Sequence, residues 1–480
     1  MHLVNLNEDV LRVIMDLAVH SHEHNFYEHI LQSPQTAISI SHVSRRFRLL
    51  ALSSSTLWTN LHGFMLPEAM LAFLERSRDA DLCIVFVLDN RHVRSLNDDG
   101  AAEDDDLAGL QFRYDLLFDA ASPHSKRWRS IHVLPNFNAV SEGFQPFLHW
   151  QGASLRCSLA LQDGPFPRLQ YLDARFDEPI PLHKGFYAGW DASALRELVI
   201  ANAPPSILHF AAISKFTFVW DQWSPQNVSI ETELLAFLLA TPSLEDLCFR
   251  IDRSGIGLLN FAALRLEAAL PLELPNIKTL SLFSVSFSTA PTFQALLDRL
   301  RLPNLSRLAI HVGMDRHGRK VTTGPFPSNL QTFIWVLSMF PDPAYTQLLK
   351  DVELRLFVGA DHGARERQFQ LPFVKLEHVE NLTLETDMRL VWSYAVDSHH
   401  IIVGSWTSDS DLLALVNVAA HPINLKSLRL ERCPRVDAQF VTMLTEIMRQ
   451  QGSLKNFKGV TVLQCDPALE ETLETFIPRD

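Results

Sequence analysis

The sequence predicts a small all-α N-terminal module followed by an α/β solenoid with parallel strands on its concave face. Three observations lead there. Apolar residues recur at helical spacing within residues 1–62. From about residue 126 onward one pattern keeps returning: apolar, two residues, apolar, one residue, apolar. Helix-like stretches separate its copies. The boundaries that follow are 1–62 for the helical module and 63–480 for the repeat domain.

The first helix is expected over Leu6–Ile14. Asn7 can cap it, and Glu8 and Asp9 suit the positive end of its dipole. Leu6 before the cap and Leu11 four residues into the helix fit a hydrophobic staple. In Ile38–Ala51, Ile40, Val43, Phe47 and Leu50 fall on one face of a helix, with Arg45, Arg46 and Arg48 off that stripe. Leu57-Trp58 closes the module. The stretch from about His20 to Thr36 reads as a loop insertion, inexpensive because closure entropy grows slowly with length. Two short amphipathic helices and a Leu-Trp hook bury too little surface for an independent enzyme domain. They suit a docking module that buries apolar residues against a partner.

At these residues the chain resembles the F-box family. Leu6, Leu11 and Ile14 match the opening of its pattern, Val43-Ser44-Arg45-Arg46-Phe47-Arg48 its middle, and Leu57-Trp58 its end. Asn7 stands where the family usually has Pro. The resemblance covers roughly the first 60 residues, an eighth of the chain. It implies docking to a Skp-type linker protein through Leu6, Leu11, Ile14, Val43, Phe47 and Trp58.

In the repeat domain the clearest copy is Leu425-Lys426-Ser427-Leu428-Arg429-Leu430-Glu431-Arg432-Cys433, which resembles the leucine-rich-repeat consensus at each fixed position. Other copies begin at Leu195, Leu244, Ile277, Leu305, Leu330, Leu349, Val379 and Leu454, with Trp128 and Leu169 as earlier candidates. Several follow Pro-Asn or Pro-Ser. The last two apolar residues of each copy alternate, so they share one face of a short strand. Such a strand cannot bury itself, but stacked copies share a core. Helices are expected over Glu231–Ala240, Thr292–Leu300, Asp411–Ala420 and Val436–Gln450. Strand–helix alternation implies parallel strands joined by crossovers. An F-box followed by leucine-rich repeats resembles the substrate receptors of Skp–cullin–F-box ubiquitin ligases. That resemblance implies a non-catalytic adaptor that holds a protein substrate. A plain interaction scaffold, whose helices only cap the solenoid, and an enzyme with an unrecognised site stay open beside it.

Within each repeat strand the residues flanking the buried leucines must point the other way. The expected substrate-binding row includes Arg250, Arg307, His311, Arg355, Arg429 and Glu431, with Phe283 and Ile334 as apolar anchors among them.

Composition narrows the function classes. The net charge is −13 over 480 residues, with no long basic run, so nucleic acid is not the expected partner. Five dispersed cysteines fit a reducing, intracellular setting, cytoplasmic or nuclear. The N-terminus lacks a basic n-region, and the longest uncharged stretches are broken by Pro, Ser and Thr, so neither a signal peptide nor a membrane span is expected. His20, His22, His24 and His29, interleaved with Glu23 and Glu28, lack zinc-site spacing. The acidic run from Asp98 to Asp106 lacks the ligand spacing of a calcium loop. Glycine is scarce, 18 residues, and no phosphate-cradling motif occurs. No cofactor or metal is expected.

Overall fold

The computed structural model describes residues 6–20, 26–88, 115–135, 166–175, 190–203, 205, 213–220, 228–251, 271–284, 289–313, 329–341, 347–357, 368–372, 375–391, 423–436 and 438–465. It divides into two compact units, Met1–Ser243 and Leu244–Asp480. That boundary falls inside the stretch assigned above to a single repeat domain. The N-terminal helices belong to the same unit as the first six strands.

The first unit opens with α1 (Glu8–His20), α2 (Phe26–His42) and α3 (Arg45–Ser53). Asn7 caps α1 as expected, its side-chain oxygen accepting from the Asp9 amide at 3.0 Å. Two expectations are corrected here. The segment read as a loop insertion is helical from Phe26 onward. The block Ile38–Ala51 is not one helix. It breaks at Val43-Ser44, where Ser44 adopts an extended backbone and accepts from the Phe47 amide at 3.2 Å. A serine placed before an arginine-rich turn competes for the backbone and starts a new helix. Val43, freed from the stripe, is exposed.

After α4 (Pro67–Ser77) is counted in, six strands make up the parallel sheet of this unit: β1 (Asn60–His62), β2 (Leu82–Leu88), β3 (Trp128–Pro135), β4 (Tyr171–Arg175), β5 (Glu197–Ala201) and β6 (Lys215–Trp220). They lie in chain order and each pairs with the next. One rung runs through Leu61, Ile84, Ile131, Leu172, Leu198 and Phe216, all fully buried. Of these, β1, β2 and β6 were absent from the sequence reading. The Trp58 and Trp128 side chains occupy equivalent positions at the entries of β1 and β3. Each precedes its rung residue by three positions, is fully buried, and donates its indole N–H to the carbonyl seven residues earlier, Ala51 at 2.8 Å and Ala121 at 3.1 Å. The Leu-Trp hook therefore doubles as the entry turn of the first strand.

The main sheet of the second unit carries seven parallel strands among the described residues, again in chain order: β7 (Asp246–Ile251), β8 (Thr279–Ser284), β9 (Arg307–Val312), β10 (Asp351–Leu356), β11 (Asn381–Thr386), β12 (Ser427–Glu431) and β13 (Gly459–Leu463); two short parallel pairs, Leu272–Glu273 with Leu300–Arg301 and Gln368–Gln370 with Arg389–Val391, lie outside it. Their register is uninterrupted. Leu247, Leu280, Leu308, Val352, Leu382, Leu428 and Val460 align as one rung, and Phe249, Leu282, Ile310, Leu354, Leu384, Leu430 and Val462 as the next. The residue three positions before the first rung is buried at Leu244, Ile277, Leu305, Leu349, Val379 and Leu425. It closes a tight turn: the Ile277 and Leu305 amides donate to the carbonyls three residues back, with Pro275 and Pro303 at the second turn position. The carbonyls of Glu245, Lys278, Ser306, Lys350 and Glu380 each accept two successive amides from the following strand. Asn304 and Asn424 donate side-chain amides to the Pro275 and Glu377 carbonyls of the preceding turn, both at 2.7 Å. Cys433, at the last fixed position of the pattern, is buried and donates to the Leu384 carbonyl at 3.3 Å; burial pushes its thiol up to about 12.

Helices fill the expected connections at α5 (Val228–Ala240), α6 (Ala290–Leu297) and α8 (Ala438–Gln450). The expected Asp411–Ala420 helix lies outside the described residues. The copy read at Leu330 is corrected: Asn329–Ser338 is helix α7, so Ile334 sits on a helix and not on a repeat strand. Its ten residues carry helix-spaced as well as alternating apolar positions, and helix length decides. The copy read at Leu454 is displaced, its strand beginning at Gly459 after a short 3-10 turn.

Candidate functional site

Two surfaces stand out. The first is on the helical module. Helix α1 buries Leu11, Met15 and Val19 on one side. It leaves Val10, Val13, Ile14 and Leu17 exposed on the other, at the spacing of a second apolar stripe. Val43, Leu49 and Leu52 are exposed on and beside α3. Of the residues expected to contact a linker, Ile14 and Val43 are at the surface, while Leu6 and Phe47 are half-buried. Leu11 and Trp58 are interior. The Trp58 ring meets Phe73 edge-on at 4.9 Å and lies under the Arg76 guanidinium at 4.6 Å. These two shape the module from within. Val10, Val13 and Leu17 escaped the sequence reading, although their spacing was visible in it.

The second surface is the face of the second unit's sheet opposite the leucine rungs. The row Arg250, Phe283, His311, Arg355, Glu385, Glu431 runs strand to strand in register. Four of the six expected substrate-binding residues, Arg250, His311, Arg355 and Glu431, lie on it. Arg307 and Arg429 lie on the same face, four and two residues nearer the strand starts than this row.

Side chains along this face are tied together. Glu353 accepts from Arg355 at 2.7 Å, His311 at 3.1 Å and Arg307 at 3.4 Å. The His311 hydrogen bond, followed by the charges of His311 and Arg355, holds its carboxyl down to about 2 against the opposing effect of burial. Glu385 is fully buried and bridges Arg355 at 3.4 Å and Arg432 at 2.6 Å. Arg429 bonds Glu431 along its own strand. Beside this lattice Arg250 lies over the Phe283 ring at 5.3 Å, and Phe283 meets His311 edge-on at 4.4 Å. Arg432 could not be read from strand alternation. It follows the strand in a left-handed conformation, φ 47°, that swings its guanidinium back to Glu385.

Chemically the arrangement is a fixed array of ion pairs. Among the described residues no cluster of three or more His, Cys, Asp or Glu side chains is arranged to hold a metal. His22, His24 and the acidic run lie outside the described residues. No described helix is long and apolar enough to cross a membrane. No protein-family model matches the chain, and no curated protein matches it.

Proposed function

We propose that this chain is a non-catalytic substrate-recognition adaptor of a cullin-type ubiquitin ligase. In this reading the helices of residues 1–62 are an F-box-like module that docks a Skp-type linker. The strands that follow are leucine-rich-repeat-like and hold the protein substrate on the face opposite the leucine rungs. Ubiquitin transfer belongs to other subunits, and this chain contributes proximity.

The observation that carries the reading is the second apolar stripe of α1. Val10, Val13, Ile14 and Leu17 face solvent on a helix whose other side is already packed. An unsatisfied helix face of this kind calls for a partner. The test is co-expression of the full chain with a Skp-type linker and size-exclusion chromatography of the product. Wild type should co-elute with the linker. Val13→Glu combined with Leu17→Glu should abolish co-elution and leave the thermal transition unchanged, because both side chains are exposed. Undiminished co-elution of the double variant would overturn the docking assignment.

A second reading is favoured by the equivalence of Trp58 and Trp128. If the helices act only as the N-terminal cap that a repeat array needs, Trp58 belongs to the array and the chain is a plain interaction scaffold. Failure of the wild-type chain to bind any Skp-type linker selects this reading.

A further inference from the structure

The charged side chains of the second unit's face differ in depth. Glu353, Glu385 and Glu431 lie inside and Arg307, Arg429 and Arg432 outside, with Arg355, 29% exposed, between them. The side chains of Glu353, Glu385 and Glu431 are 16%, 0% and 17% exposed. Those of Arg307, Arg429 and Arg432 are 58%, 52% and 48% exposed. Each of these acids bonds an arginine whose side chain is about half exposed. A guanidinium carries five donors in a rigid fork, so an arginine fixed by one carboxylate is pre-organised to receive another. The chain as a whole is strongly acidic, with 55 Asp and Glu against 42 Lys and Arg. An arginine-tipped face therefore runs against the general charge.

We propose that this face is a docking surface for an acidic, carboxylate-rich peptide segment of the partner protein. The proposal rests on the substrate-receptor reading and names its substrate class. Charge complementarity selects the occupant: the exposed arginine tips attract carboxylates, and the three glutamates that pair with them sit beneath. Arg307 on β9 and Arg429 on β12 are three strands apart, roughly 14 Å at the usual spacing. That is the reach of about four extended residues, so acids at alternate positions of a peptide crossing the strands can meet successive guanidiniums. Phe283, half-buried between Arg250 and His311, offers an aromatic anchor at one end. The acids Asp246 and Asp351 lie at the strand starts in the same cross-strand row as Arg307, and Asp351 is bonded to Asn381 at 2.7 Å. Nucleic acid fits less well, because each arginine is already paired with a carboxylate, whereas binding a phosphate backbone draws on clustered unpaired cations.

The test is fluorescence anisotropy with the full-length chain and labelled peptides of alternating Glu and Ala, alternating Lys and Ala, and alternating phosphoserine and Ala, with single-stranded DNA as a fourth probe. The Glu–Ala peptide should bind saturably and weaken steeply with added salt. Arg307→Gln combined with Arg429→Gln should weaken it by about tenfold or more. Lys278→Gln combined with Lys426→Gln removes equal charge at the turn edge, where the lysines pair with Glu245 and Glu380 at 2.8 Å, and should change binding by less than about twofold. The lysine variant would overturn the proposal by losing as much as the arginine variant. So would absence of saturable Glu–Ala binding, preference for the Lys–Ala peptide, or binding of phosphopeptide or DNA about tenfold tighter than Glu–Ala. Linker co-elution measured on the same samples keeps the two questions apart. It should be intact in both variants, and its loss in wild type would strike the adaptor reading alone.

Discussion

The same strand plan serves the two units differently on the face opposite the rungs. In the first unit the middle of that face is interior, although its margin at Glu197 and Lys215 is not: Val85, His132, Asp173, Val199 and Ala201 are all buried, and Val199, Ala201 and Val219 pack together against Tyr171. Among the described residues its one buried acid, Asp173, is held by Arg175 in two bonds of 2.7 and 3.0 Å. In the second unit the corresponding positions of β7, β8 and β10 alternate strictly between buried and half-buried, and carry the ion-pair lattice. Positions buried on both faces are closed to a partner, whereas a more open face has a surface to use. The working surface for a partner is accordingly expected in the second unit.

The largest expected effects test this contrast by paired substitutions. Leu198→Asp and Val199→Asp in the first unit should both destabilise by several kcal/mol, because either buries an unpaired carboxylate. In the second unit Leu382→Asp should cost as much, while Thr383→Asp should change stability by about 0.5 kcal/mol or less. Chemical denaturation reads all four. A tolerated Val199→Asp would mean that the two units do not differ.

This difference explains what could be read from the sequence. The copies at Leu244, Ile277, Leu305, Leu349, Val379 and Leu425 stood out because one open face makes apolar and polar residues alternate. The repeat spacing does not predict β2 and β6, because near-continuous apolar runs such as Cys83-Ile84-Val85-Phe86 show no period of two. Helix α7 was misread for a related reason, since a short apolar run satisfies both periods. The arginines of the site were visible as residues flanking leucines. Their inside–outside order against Glu353 and Glu385 was not, because it depends on neighbouring strands 30 to 50 residues away in the chain.

Gly313 ends β9 of the second unit with φ +79°, and a Cβ there would meet the Phe357 carbonyl oxygen at 1.9 Å. Gly313→Ala should therefore destabilise by more than about 1 kcal/mol, from strain and clash together. The second unit's melting temperature should fall while that of the first is unchanged. If the two move together, the units fold as one.

Smaller and pH-dependent is the effect of the lattice itself. Glu353 has its carboxyl held down to about 2 from an ordinary 4.5, so its contribution is present above pH 4.5 and is lost as pH falls toward 2. Glu353→Gln should cost on the order of 3 kcal/mol at neutral pH, with the difference from wild type shrinking below about pH 4.5. A difference that stays constant from pH 7 to 3 would show that the ion pairs of this face do not hold it.

The most direct measurement compares the partners retained by three full-length proteins of equal thermal stability. These are wild type, Val13→Glu with Leu17→Glu, and Arg307→Gln with Arg429→Gln. Arg355 is left intact because it bridges Glu353 and Glu385. The account predicts separable losses: the helix variant loses the Skp-type linker and keeps its other partners, and the arginine variant keeps the linker and loses one of them. Retention of every partner by the arginine variant, or joint loss of linker and substrate in either variant, would contradict it.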